Sequence, residues 1–226
     1  MPKKLIIFDF DDTLTDNSER DIQSFTHITR KFHLLDIKKQ KIVQWRKSGM
    51  ISNSIIKKLI DSDDNLLFEK CVKQRSNFLE NHNSYIEYTK LKDSTINVLS
   101  ELNNQNHVLV LNSIQSDHKK FQKILTHFKI NYFFQKIFIE QLSTTKNSAG
   151  DRIQLKELLY QKIISEFNFV NNKKNVLVIG NLLSDIIPAE NLNLKSLMIE
   201  GSFGFDNSIH YPCTQISDLR QIIELV

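Results

Sequence analysis

Three aspartates follow a short apolar run near the start of the chain, in "LIIFDFDDTLTDN" at residues 5–17. Asp9 and Asp11 are two apart, and at the end of a strand residues two apart face the same side. Two carboxylates on one side repel each other, so they call for a cation or a shared proton. Mg²⁺ meets that need, because it binds through one or two carboxylates together with substrate phosphate. The pair can also divide a phosphoryl transfer. One carboxylate attacks phosphorus to give an aspartyl phosphate. The other protonates the leaving oxygen and later activates water. The same acids also fit an acid-rich turn closing a strand, and their spacing alone leaves both readings open.

Positioning such a pair takes a scaffold, and the apolar pattern supplies one. Leu5–Phe8, Val108–Leu111 and Val176–Ile179 are unalternating apolar runs, which suit parallel strands covered on both faces. Ile137–Ile139 and Ser196–Ile199 are plausible further strands. Between them lie amphipathic segments. Residues 95–102 place Ile96, Leu99 and Leu102 on one face, and residues 155–164 place Leu155, Leu158, Leu159 and Ile163 on another. Alternating strand and helix predicts an α/β doubly wound parallel sheet, a Rossmann-like core. In such sheets the site lies beyond the carboxyl ends of the strands, where Asp9, Ser113 and Asp185 would fall.

Residues 18–90 break the alternation. They show helical periodicity alone, with Ile22, Phe25, Ile28 and Phe32 on one face and Ile55, Ile56, Leu59 and Ile60 on another. A stretch that long exceeds an ordinary βα connection. It predicts an inserted α-helical cap at 18–90, with the core domain formed by 1–17 and 91–226.

The bulk composition narrows the function classes. Over 226 residues the formal net charge is +4 and its lysines mix with acids, which argues against nucleic acid. No stretch approaches the length of a membrane span and no signal peptide is evident. Two cysteines far apart suit idle thiols in a reducing compartment. A cytoplasmic protein, monomeric by default, acting on a small molecule is the expectation.

The sequence resembles the haloacid dehalogenase-like hydrolase superfamily. Its first motif, an apolar strand then Asp-x-Asp-x-Thr and usually Leu, is filled by Asp9-Phe10-Asp11-Asp12-Thr13-Leu14. Asp12 stands where Gly is frequent. The resemblance implies phosphate chemistry, because the dehalogenases lack the second acid. It makes Asp9 the nucleophile and Asp11 the acid and base, with Thr13 orienting them. It places a phosphate-binding hydroxyl at the end of the next strand, assigned to Ser113 in "VLVLNS", with Leu111 and Asn112 as the alternative frame. It also implies a phosphate-binding lysine. Lys146 in "STTKNSAGD" takes that role, and Lys156 is the fallback, reading as a surface position of its helix. The last motif, Gly-Asp-x-x-x-Asp, reads Gly180-Asn181-Leu182-Leu183-Ser184-Asp185. Mg²⁺ would thus be held by Asp9, Asp11, Asp185 and Asn181, the last with a neutral oxygen where the family carries an acid.

The resemblance also makes the inserted helices a cap of the kind found in phosphoglycolate phosphatases and β-phosphoglucomutases. In "QWRKSGMISNS", Gly49 joins two helices and could present Arg46 and Lys47 to an anionic leaving group; an ordinary turn with solvated bases fits equally. The expected function is a Mg²⁺-dependent phosphatase of a small-molecule phosphate ester. The alternatives are a phosphomutase, or a weakly active phosphate-binding protein on account of Asn181.

Overall fold

A computed structural model describes residues 2–115, 117–141, 149–205 and 213–226. The chain runs through β1 (Leu5–Phe8), β2 (Thr15–Asp16), α1 (Ser18–Phe32), α2 (Lys39–Lys47), α3 (Ser52–Ile60), α4 (Asn65–Glu80), α5 (His82–Tyr88) and β3 (Lys90–Leu91). It continues through α6 (Thr95–Asn104), β4 (Val108–Ile114), α7 (His118–His127), β5 (Lys136–Glu140), α8 (Ala149–Glu166), β6 (Val176–Gly180), α9 (Leu183–Asn191), β7 (Lys195–Ile199), β8 (Thr214–Ile216) and α10 (Gln221–Leu225).

Six strands form one sheet in the order β5-β4-β1-β6-β7-β8. Each of the five strand pairs is parallel. Phe8 is level with Leu111 on one side and Ile179 on the other, so β1 lies between β4 and β6. After β1 the sheet grows through β4 and β5 on one side, then through β6 to β8 on the other. The reversal falls at β1, and its carboxyl end opens where a ligand crevice is expected. The three central strands β4, β1 and β6 are buried almost throughout, and β4 turns from apolar to polar at Asn112 and Ser113 as it reaches its carboxyl end. Edge strand β8 was not evident in the sequence: three residues are too few for a pattern.

Two helices present faces one residue away from the expected ones. In α6 the buried residues are Thr95, Val98, Leu99 and Leu102, while Ile96 is 44% exposed. In α8 they are Lys156, Leu159, Tyr160, Ile163 and Ile164, while Leu158 is 58% exposed. One residue is about 100° of helix rotation, enough to turn Lys156 inward. Helix α7 begins on Asp117, whose carboxylate accepts the Lys120 amide.

The chain forms two compact units, dividing at Thr15/Asp16 and Lys90/Leu91. The sheet and its helices form one. Helices α1 to α5 form the other, and Ser202–Phe205 return to it after β7. The helical unit has its own core of Ile22, Phe25, Ile28, Ile42, Ile55, Ile56, Leu59 and Cys71, with Trp45 and Phe203 packed against it. The Asn17 amide donates to Ser202 Oγ at 2.9 Å and its side chain accepts from Thr89, which ties the returning segment to the start of α1. Gly49 joins α2 to α3 at φ +77°, a conformation that favours glycine. Both cysteines are unbridged. Among the described residues no helix is long and apolar enough to cross a membrane.

Candidate active site

The turn after β1 explains why the aspartates stay where the strand delivers them. The Leu14 amide donates to Phe10 O at 2.9 Å, and Thr15 Oγ1 accepts the Asp12 amide at 3.1 Å. Asp12 has φ +57°, the left-handed region that Asp and Asn tolerate better than other non-glycine residues. That accounts for an acid where Gly is frequent. The Asp9 amide donates to Ile179 O at 2.9 Å, extending the ladder one residue beyond β1.

Lys156 is the centre of the charged cluster. It is 3% exposed, and its Nζ lies 2.9 Å from Asp9 Oδ1 and 3.0 Å from Asp185 Oδ1. It also donates to Asn112 O at 3.2 Å. The expectation of a surface lysine is therefore overturned, by the one-residue rotation of the α8 face. Its sequence signal was present: positions 156, 160, 163 and 164 share a helical face. Lys146 lies outside the described residues.

Two carboxylates share one ammonium, and the electrostatics follow from that. Burial pushes the Asp9 carboxyl up to about 7 against the pull of Lys156, with the charge of Asp185 adding to the rise. For Lys156, burial alone would favour the neutral amine, but Asp185 and Asp9 outweigh it and hold the ammonium charged.

The other strand ends complete the site. Gly180 closes β6, where a Cβ would fall 2.3 Å from Asp185 Cβ, so glycine is required for this approach. Asp185 Oδ2 accepts the Leu182 amide at 3.2 Å. Thr13 Oγ1 lies 3.2 Å from Asp9 Oδ2 and 3.3 Å from Asn181 Oδ1, bringing the ends of β1 and β6 together through a neutral group. Ser113 is buried near the end of β4. Its Oγ accepts from Gln115 Nε2 at 2.8 Å, and the same nitrogen donates to Asp11 Oδ2 at 2.9 Å. Gln115 gave no signal in the sequence. Asn112 is fully buried, and among the described residues its side-chain oxygen and nitrogen have no hydrogen-bond partner.

The donor set around Asp9 is all oxygen, which suits a hard cation. Asp9 and Asp185 supply charge that one lysine does not neutralise, and Asn181 supplies a carbonyl oxygen on the Thr13 side. The set is one acid short: among the described residues no group of three or more His, Cys, Asp or Glu side chains is placed to hold a metal ion. Mg²⁺ keeps several waters and needs only one or two carboxylates, so these residues fit it.

Of the two bases considered for the helical unit, Arg46 is half-buried and paired. Its Nε and Nη2 take both oxygens of Asp21, at 2.7 and 3.1 Å, and Nη1 donates to Met50 O. Arg75 also donates to Asp21. Lys47 is exposed at the end of α2.

Many solved structures share this architecture, and three illustrate it over almost the whole chain. One is a protein of Clostridium difficile described as a candidate phosphatase, with TM-score 0.73, 19% identity and 100% of each chain covered. Another is described as a predicted phosphoglycolate phosphatase of Haemophilus somnus, with TM-score 0.68, 18% identity and 99% of this chain and 97% of that one covered. The third is a haloacid dehalogenase-like family protein of Streptococcus pneumoniae, with TM-score 0.67, 15% identity and 99% and 98% covered. Similarity at this level of identity establishes the fold. No curated protein matches the chain. The family model described as haloacid dehalogenase-like hydrolase matches residues 6–199. With that match over most of its length, the chain belongs to the haloacid dehalogenase-like hydrolase family.

Proposed function

We propose that this hydrolase is a Mg²⁺-dependent phosphatase that cleaves a small phosphomonoester through an aspartyl phosphate on Asp9. The observation that carries the reading is the buried cluster in which Lys156 joins Asp9 to Asp185 at the carboxyl ends of β1 and β6. Asp9 is held at the sheet's reversal point, and Lys156 fixes its carboxylate in one orientation.

The chemistry then distributes over named groups. A carboxylate oxygen of Asp9 attacks phosphorus as the bond to the leaving oxygen breaks. Asp11 gives its proton to that oxygen. In the second step Asp11 takes a proton from water, which attacks the phosphorus of the aspartyl phosphate and restores Asp9. The Ser113 hydroxyl and the Lys156 ammonium meet the charge on the phosphoryl oxygens. Mg²⁺, held by Asp9, Asp185 and Asn181 with Asp11 beside them, would neutralise phosphoryl charge when bound. The helical unit, inserted between the Asp9–Asp11 turn and β4, would serve as the lid that excludes water, with Lys47 as a contact for an anionic leaving group. Arg46 serves the internal structure of that unit first.

Purified protein with p-nitrophenyl phosphate, with and without Mg²⁺, tests the reading. Turnover that needs Mg²⁺ and is lost by orders of magnitude in Asp9→Asn is the expected result. Full activity in Asp9→Asn, or none in the native chain across a panel of phosphoesters and divalent metals, overturns it.

A further inference from the structure

We propose that Gln115 is the positioning residue of the acid–base step: its carboxamide aims Asp11 and sets the direction in which the Ser113 hydroxyl donates. The inference rests on the phosphatase reading and extends it.

The carboxamide faces two acceptors. Nε2 lies 2.9 Å from Asp11 Oδ2 and 2.8 Å from Ser113 Oγ. A carboxylate can only accept, so the NH₂ end of the amide must point toward it. That NH₂ group has two protons and meets two acceptors. Because Ser113 Oγ accepts from Gln115, the hydroxyl proton is turned away from Gln115 and is available to a phosphoryl oxygen. The donor on Asp11 is equally directive. With Oδ2 held by this N–H, the Asp11 carboxyl keeps one orientation at the strand ends, which is what the acid–base step requires.

The backbone makes this arrangement stiff. The Gln115 amide donates to Glu140 O at 2.9 Å, continuing the ladder between β4 and β5 one residue beyond Ile114. The carboxamide is therefore carried on a strand extension, while Asp11 sits on the turn after β1. Their bond joins the ends of two adjacent strands across 104 positions of sequence. One neutral donor thus couples the proposed acid to the proposed phosphate-binding hydroxyl, as polarised networks do. Met could fill the same space but could not donate. Glu could fill it but would set a third carboxylate against Asp11.

A series of aryl phosphates with increasingly basic leaving phenols separates aim from packing. The ratio kcat/KM reports events up to cleavage of the ester bond. A good leaving group such as p-nitrophenolate departs without a proton, whereas phenolate depends on one. General acid catalysis contributes roughly 10²–10⁴-fold, so Gln115→Met and Gln115→Glu should lower kcat/KM for phenyl phosphate by roughly 10- to 100-fold and for p-nitrophenyl phosphate by only about threefold, the share that passes through the Ser113 hydroxyl. Ser113→Ala, which removes a phosphate contact, should lower both alike. Thermal melting of each variant identifies one that does not fold, and the other variant then carries the comparison. Equal losses across the series in a folded Gln115 variant, or no loss, overturn the inference while leaving the phosphatase reading in place. If the native chain shows no Asp9-dependent turnover of any ester, both fall together.

Discussion

The two units each contain a buried charge centre, and the two are built with opposite arithmetic. In the sheet unit one ammonium, Lys156, serves two carboxylates, Asp9 and Asp185. In the helical unit one carboxylate, Asp21, serves two guanidiniums, Arg46 and Arg75. In the second arrangement both carboxylate oxygens are engaged and the surplus cations rest on aromatic rings. Arg46 grips Asp21 with a planar fork, Arg75 lies 4.4 Å from the centre of the Phe25 ring, and Arg46 lies 5.4 Å from that of Phe203. Guanidiniums are weakly hydrated and stack on aromatic faces, so a surplus of them is tolerated indoors. The first arrangement has no equivalent remedy. Burial raises Asp9 to about 7 even with Lys156 in contact. Surplus buried negative charge marks a place made for a cation and an electrophile; surplus guanidinium around a saturated acid marks a fold-holding pair.

Removing the centre of each cluster should therefore have different consequences. Lys156→Met leaves two buried carboxylates facing each other. We expect a loss of roughly 10²–10³-fold in kcat/KM, together with destabilisation of about 3 kcal/mol or more, read by urea denaturation. Retention of activity would return the phosphate-binding role to Lys146. Asp21→Ala strands two guanidiniums in the helical unit and should cost about 3 kcal/mol as well. Its Asp9 should still accept a phosphoryl group at temperatures where the variant is folded. A variant in which that transfer fails while the fold persists would give the Asp21 centre a direct part in the chemistry.

Asn181→Asp should have a smaller effect on the sheet unit's charge centre. It adds a third acid to the Lys156 cluster and should raise Mg²⁺ affinity by roughly tenfold, since affinity follows the charge of the ligands. Calorimetric titration with Mg²⁺ reads this without reference to turnover, and an unchanged affinity would place Asn181 outside the metal's reach. In the absence of Mg²⁺ the same variant should melt lower than the native chain, because the added acid is uncompensated.

The parts of this account that were legible in the sequence are local ones. The run from Leu5 to Leu14 carries its strand, its turn and its chemistry in ten consecutive residues, down to Asp12 at φ +57°. The sheet was readable because its inner strands are buried on both faces. Lys156 was misplaced because a long helix with apolar residues at 155, 158, 159, 160, 163 and 164 admits two neighbouring faces. Only tertiary packing selects the one holding Tyr160 and Ile164. Gln115 and the Asp21 pairs were invisible for another reason. Their partners lie 104, 25 and 54 positions away, and no local pattern encodes such contacts. The return of Ser202–Phe205 to the helical unit belongs to the same class.

Asp9 itself should carry the phosphoryl group during turnover, rather than act as an acid beside it. Rapid quenching during turnover of an aryl phosphate, followed by borohydride reduction and peptide mass mapping, tests that directly. The expected result is a reduced acyl phosphate at Asp9 in the native chain and none at any position in Asp9→Asn. A phosphoryl group trapped on another residue, or turnover of the ester by Asp9→Asn at the native rate, would contradict it.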